Sequence, residues 1–174
     1  HFSIAVNLSA NQLIDPALAD HVAAALRASG IDPSMLEFEI TETAVMKNMA
    51  EAIALLESLR ALGVRLAIDD FGTGYSSLAY LKELPVDVLK VDRAFVRHLP
   101  HSRDDLAITR AVIAMAHGLS MKVVAEGVEA QCQFDSLRDE GCDVFQGFYC
   151  RPAMQSHDLE ALLNRHGLVI PAQT

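Results

Sequence analysis

Six short apolar runs recur along the chain, and each closes on a polar residue. They are Ser3-Ile4-Ala5-Val6-Asn7, Leu36-Glu37-Phe38-Glu39, Val64-Arg65-Leu66-Ala67-Ile68-Asp69, Val88-Leu89-Lys90, Val123-Val124-Ala125-Glu126 and Val144-Phe145-Gln146. Runs of this length, rich in Val and Ile, read as strands buried on at least one face. Each except the last leads into a stretch with helical period. Asp15-Pro16 opens the first helix and Gly30 closes it, with Leu18, Val22, Ala25 and Leu26 on one apolar face. Asn48 and Glu51 open the second, whose stripe is Ile53, Leu56 and Leu59 and whose stop is Gly63. A third, shorter helix is expected from near Ser76 to before Pro85. Ser102 with Asp105 reads as a capping box for the fourth, with Leu106, Ile113 and Ala116 on its face and Gly118 after it. The fifth runs from about Ala130 to Glu140, and the sixth follows Ser156 and is expected to bury Leu159, Leu162 and Leu163.

A repeating strand–helix pattern predicts an α/β fold in which successive strand ends meet at one rim of a parallel sheet, where the catalytic groups of such folds sit. Six parallel strands can form an open doubly wound sheet or part of a closed barrel. An open six-strand sheet spreads its rim over roughly 25 Å at ~4.8 Å per strand, so convergence of all six ends on one site favours the barrel. An eight-unit barrel takes about 250 residues, roughly 30 per unit, which leaves 174 residues about two units short. The expected fold is therefore a modified (β/α)8 TIM-like barrel, incomplete at its N-terminus, with about six βα units. The start at His1-Phe2-Ser3 leads straight into a strand, so the missing part is expected before His1. The domain is expected over residues 1–166, with 167–174 as a tail.

Composition narrows the chemistry. The formal net charge is −9 and no basic block stands out, which excludes long nucleic acid held by phosphate neutralisation. An acidic chain still binds a small anion where cations supply local positive charge. The three cysteines, Cys132, Cys142 and Cys150, form no CxxC pair and read as structural thiols of a reducing compartment. No apolar run approaches the ~18 residues of a spanning helix. The seven histidines fall on helices and loops, which suits surface or packing roles.

The sharpest local signal is Asp69-Asp70-Phe71-Gly72-Thr73-Gly74. Neighbouring residues of a strand point to opposite faces, so both aspartates serve one site only where the strand is ending. Two carboxylates about 4 Å apart repel by roughly 4 kcal/mol at an effective dielectric of 20. Glu39 and Glu126 at the same rim add to that repulsion unless a cation lies among them. The ligand set is all oxygen, the Asn7 carbonyl included, which suits Mg2+ or Mn2+ better than zinc. Asp69 is placed to bridge two such ions ~3.5–4 Å apart, an arrangement used for phosphoester hydrolysis. Lys90 reads either as a surface residue or as a cation orienting a phosphate or water. Glu126 reads as a ligand, a general base or the partner of Lys90 in a rim salt bridge. Asn7 also suits a cap, and Gln146 a hydrogen bond to substrate or water.

With these residues in place the sequence resembles the EAL-domain family of cyclic di-GMP phosphodiesterases. The likeness runs from Asn7-Leu8-Ser9 through Glu39-Ile40-Thr41-Glu42, Asp69-Asp70-Phe71-Gly72-Thr73-Gly74-Tyr75-Ser76-Ser77-Leu78, Lys90-Val91-Asp92 and Val124-Ala125-Glu126-Gly127-Val128-Glu129 to Gln146-Gly147-Phe148-Tyr149-Cys150-Arg151-Pro152. It implies a first divalent ion on Asn7, Glu39 and Asp69, and a second on Asp69 and Asp70 with Glu126 nearby as ligand or base. It implies further that Lys90 positions the attacking water or a phosphate oxygen and that Gln146 contacts the reacting region. Glu42 is implied to brace the loop after Asp70, a segment tied to metal binding and dimer contacts. The implied reaction converts cyclic di-GMP to linear pGpG in the cytoplasm. The implied partners are a second copy of the domain and an upstream sensor or GGDEF domain, with any membrane anchor also upstream.

By the resemblance, the Glu-Ala-Leu motif that names the family is expected on a strand before His1. Glu160-Ala161-Leu162 falls inside the last helix and is a chance match. The intact protein is accordingly expected to be active and an isolated 174-residue piece weak or inactive. The alternative is a catalytically degenerate domain that binds cyclic di-GMP without cleaving it.

Overall fold

The computed structural model describes residues 3–72 and 78–165. Six strands form one all-parallel sheet in sequence order: β1 (Ile4–Leu8), β2 (Leu36–Thr41), β3 (Arg65–Phe71), β4 (Val88–Val91), β5 (Lys122–Ala125) and β6 (Val144–Phe145). Consecutive parallel neighbours joined by helices are the topology of a TIM-like barrel wall. All six predicted strands are present. Between them lie α1 (Leu18–Ser29), α2 (Glu42–Lys47), α3 (Met49–Ala61), α4 (Leu78–Leu81), α5 (Arg93–Val96), α6 (Arg103–Gly118) and α7 (Gln131–Asp139), and α8 (Ser156–Arg165) follows β6.

Local chemistry explains most boundaries. The Asp15 carboxylate accepts the Ala17 N–H at 2.9 Å ahead of α1, and Gly30 ends that helix with φ 67. Ser102 accepts the Asp105 N–H at 3.2 Å and caps α6. Asn48 precedes α3 but makes no side-chain cap, so Thr41, which caps α2, is the better signal in that region. The short helices α2 and α5 carry too few turns for a hydrophobic period and were not expected. Ala25 is exposed rather than part of the α1 face, and on α8 only Leu163 is buried. The expected start of α4 near Ser76 and the tail at 167–174 lie outside the described residues.

The sheet separates two environments. One face carries Phe38, Ile40, Leu66, Ile68, Leu89, Val91, Val123 and Ala125, all buried in one cluster with Leu26, Leu56, Leu59, Val96, Ile113, Ala116 and Leu137 from the helices. The other face carries polar residues toward the strand ends, after apolar ones such as Ala67, Val88 and Val124. The register pairs Asn7 with Glu39, Ala67 with Val88, Lys90 with Val124, and Val124 with Val144. Partners in a parallel pair point the same way and side chains alternate, so Asn7, Glu39 and Lys90 belong to one face; ion pairs with Lys90 bring Asp69 and Glu126 to it, and Gln146 follows the end of β6.

Candidate active site

Two residues of β3 stand opposite one of β4. Ile68 pairs with Leu89 and Phe71 with Val91, which leaves Asp69 and Asp70 together facing Lys90. This is a β-bulge, with Asp70 in the left-handed region at φ 54, a conformation Asp tolerates better than most residues. The strand therefore does not end at the aspartates, as the sequence suggested; it bulges and continues to Phe71. The bulge turns both carboxylates to the polar face, and the Asp70 N–H donates to Asp69 Oδ1 at 3.0 Å.

Lys90 is the hub of the site. Its Nζ lies 2.8 Å from Glu39 Oε1, 3.1 Å from Asp69 Oδ1 and 2.6 Å from Glu126 Oε1. Lys90 is only 3% exposed, so it is an internal cation and not a surface residue. Burial alone would lower its pKa. Hydrogen bonds to Glu126 and Glu39 and the charges of Glu126 and Asp69 outweigh that and hold it above the ordinary lysine value. Glu126 is raised by burial, and the neighbouring Asp69 and Glu39 charges add to the effect against the opposing pull of Lys90. Asp70 is raised by burial and then by the charges of Asp69 and Asp92.

One ammonium cannot neutralise this many acids. Carboxylate oxygens of Asp69, Asp70 and Glu126 all lie within 4.8 Å of one another, a spacing that suits a shared divalent cation. Glu39 is joined to Asp69 and Glu126 through Lys90, and Asn7 stands beside Glu39 in the sheet. Gln146 is exposed at the rim. Its main-chain N–H donates to the Ala125 carbonyl at 2.8 Å and its main-chain carbonyl accepts the Val128 N–H at 3.0 Å. Glu42, half-buried in the first turn of α2, accepts the Gly72 N–H at 3.5 Å; the loop beyond, residues 73–77, lies outside the described residues.

Sequence reading noted Asp92 in the Lys90-Val91-Asp92 motif but gave it no role. Its side chain accepts the Ala94 N–H at 2.7 Å, capping α5, and its charge helps to raise the Asp70 carboxyl. The signal was available, because Asp92 follows Lys90 by two residues and so shares its face. The cysteines are all free, but only Cys142 is a buried structural thiol; Cys132 and Cys150 are exposed.

The sequence profile of the EAL domain matches residues 1–153. This chain belongs to the EAL-domain family. It is 52% identical over 150 residues to the cyclic di-GMP phosphodiesterase NbdA of Pseudomonas aeruginosa, covering 86% of this chain and 19% of that protein. Its fold matches the MucR phosphodiesterase of the same organism in complex with c-di-GMP, with TM-score 0.85, 46% identity, and 90% and 64% of the two chains covered. It also matches BlrP1 of Klebsiella pneumoniae in a manganese/cy-diGMP complex, with TM-score 0.78, 37% identity, and 84% and 38% covered. The chain spans about a fifth of the length of the curated relatives NbdA and MucR, 19% and 23%. Among the described residues, no helix of this EAL domain is long and apolar enough to cross a membrane.

Proposed function

We propose that the protein hydrolyses cyclic di-GMP to linear pGpG with the help of divalent cations, Mg2+ or Mn2+. The observation that carries this reading is the convergence of Asp69, Asp70 and Glu126 on one point beside the buried Lys90. Asp69 and Asp70 would hold two ions, with Asn7, Glu39 and Glu126 completing the oxygen set. When bound, the cations supply positive charge to the phosphate oxygens and make a nearby water more acidic.

The chain's own groups do the rest. Glu126, with its pKa raised, is suited to take a proton from the attacking water. Lys90 fixes the orientation of Glu126, Asp69 and Glu39 at once and adds positive charge under the reacting phosphate. Gln146 reaches the substrate from the rim, and Glu42 steadies the turn after Asp70 through Gly72. The oxygen of water adds to phosphorus, one phosphodiester P–O bond breaks, and the departing oxygen takes a proton to become the free hydroxyl of pGpG.

The relatives NbdA and MucR, named as cyclic di-GMP phosphodiesterases, support the substrate, and the manganese complex of BlrP1 supports the metal class. In the whole protein the domain acts on the cytoplasmic pool of cyclic di-GMP as a homodimer, with a sensor or GGDEF domain upstream. The bifunctional relative MucR supports such a pairing. The test is release of pGpG by the intact protein with Mg2+ or Mn2+, with chelator, and in Asp69→Asn. Turnover that needs metal and falls by orders of magnitude in the variant supports the reading; near-normal turnover in the variant removes the role given to Asp69.

A further inference from the structure

The segment that carries Glu126 is irregular backbone, and its hydrogen bonds can be followed group by group. The Glu126 N–H donates to the Val91 carbonyl at 3.1 Å, the Val128 N–H to Gln146 at 3.0 Å, and the Val128 carbonyl accepts the Tyr149 N–H at 2.9 Å. The next two N–H groups, of Glu129 and Ala130, both donate to the side-chain oxygen of Gln133, at 2.8 and 3.0 Å. Gln133 is 7% exposed, and its amide nitrogen donates to the Arg97 carbonyl at the end of α5, 3.1 Å away. One buried side chain thus fastens the Glu126 loop to the element that follows Lys90. The two segments also touch directly. A Cβ on Gly127, whose φ is 67, would sit 2.5 Å from the Arg93 Cβ of α5.

We infer that Gln133 is a positioning residue for Glu126. It holds the β5–α7 loop against α5 so that the Glu126 carboxylate meets Lys90 and faces Asp69 and Asp70 before any ligand arrives. A plain capping role for α7 needs only the Gln133 oxygen. The bond from its nitrogen to Arg97 crosses to another element and serves the loop's placement instead. Outer groups that orient metal-binding side chains change metal affinity or activity by about 10–100-fold when replaced.

Gln133→Glu separates the two roles, because it keeps an oxygen for the Glu129 and Ala130 amides and sets a carboxylate against the Arg97 carbonyl. The inference rests on the proposed metal-dependent reaction, so Mn2+ binding is measured by calorimetry on the intact protein alongside cyclic di-GMP hydrolysis. The expected result is a thermal midpoint within about 4 °C of wild type, Mn2+ affinity weaker by about 10-fold and kcat lower with KM little changed. Wild-type Mn2+ affinity and kcat in the folded variant overturn it and leave Gln133 a helix cap. If Gln133→Glu loses its fold, Gln133→Met, which keeps the packing and removes both sets of hydrogen bonds, is read by Mn2+ affinity and kcat, which the loss of a helix cap alone would leave at the wild-type level. A wild type that binds Mn2+ but leaves cyclic di-GMP intact refutes the proposed reaction, and the affinity ratio still decides the role of Gln133. A wild type that binds no Mn2+ refutes both.

Discussion

Lys90 holds Glu39, Asp69 and Glu126 within 3.1 Å of a single ammonium, and its side chain is 4% exposed. Removing the ammonium leaves three partly buried carboxylates with no compensating charge, at a cost of about 3–5 kcal/mol, whereas removing one of the excess acids relieves repulsion. Lys90→Met is therefore expected to lower the unfolding free energy of the metal-free protein by about 3 kcal/mol, read by urea denaturation in chelator. Added Mn2+ should restore more stability to this variant than to wild type, since the cation then meets carboxylates that Lys90 no longer occupies. Equal loss with and without Mn2+ would show that the lysine, not the shared charge, is what the acids require. The residue scale also marks what sequence could reveal. The grouping of Glu39, Asp69, Lys90 and Glu126 was legible because each stands at a strand end. The bulge was not, since nothing in Leu66-Ala67-Ile68-Asp69-Asp70-Phe71 announces that two residues will oppose one; only the pairing with β4 reveals it.

At the scale of elements, the rim from β4 to β6 is locked by backbone contacts. Gly147, at φ 155, lies so close to β5's outgoing loop that a Cβ there would collide with the Val128 backbone nitrogen and oxygen. Gly147→Ala should destabilise by about 2 kcal/mol, within the range for overpacking, and depress activity by displacing Gln146. A thermal midpoint and turnover both at wild-type level would contradict this. On the far side of the sheet, Asp143 accepts from the Val123 N–H at 2.8 Å and pairs with His117 of α6 at 2.8 Å. Burial raises the Asp143 carboxyl, but these hydrogen bonds outweigh it and hold its pKa below the ordinary value. A folded-state pKa below the unfolded one, about 3.9 for Asp, stabilises the protein above that pH. The stabilisation disappears as pH falls through the folded value. Thermal midpoints of Asp143→Asn should therefore fall less steeply than wild type below about pH 4; parallel curves would exclude the contribution. The long helices announced themselves through apolar stripes, and α6 also through its Ser102 cap. The short α2 and α5 did not, because their stability comes from Thr41, Asp92 and the packing around them rather than from periodicity.

Across the whole molecule, fold and site have one origin. A sheet that buries one face under its helices gathers, at the strand ends of the other, acids from β2, β3 and the end of β5 around the lysine of β4, and that arrangement calls for added positive charge. A cation that binds the folded chain and not the unfolded one stabilises it by RT ln(1 + [L]/Kd), about 2.7 kcal/mol at a hundred times Kd. The most direct measurement is thermal unfolding of the intact, metal-free protein titrated with Mn2+, wild type beside Asp69→Asn. The midpoint of wild type should climb with Mn2+, while the variant, no less stable without metal, should scarcely respond. Superimposable titrations, or a wild type indifferent to Mn2+, would contradict the account.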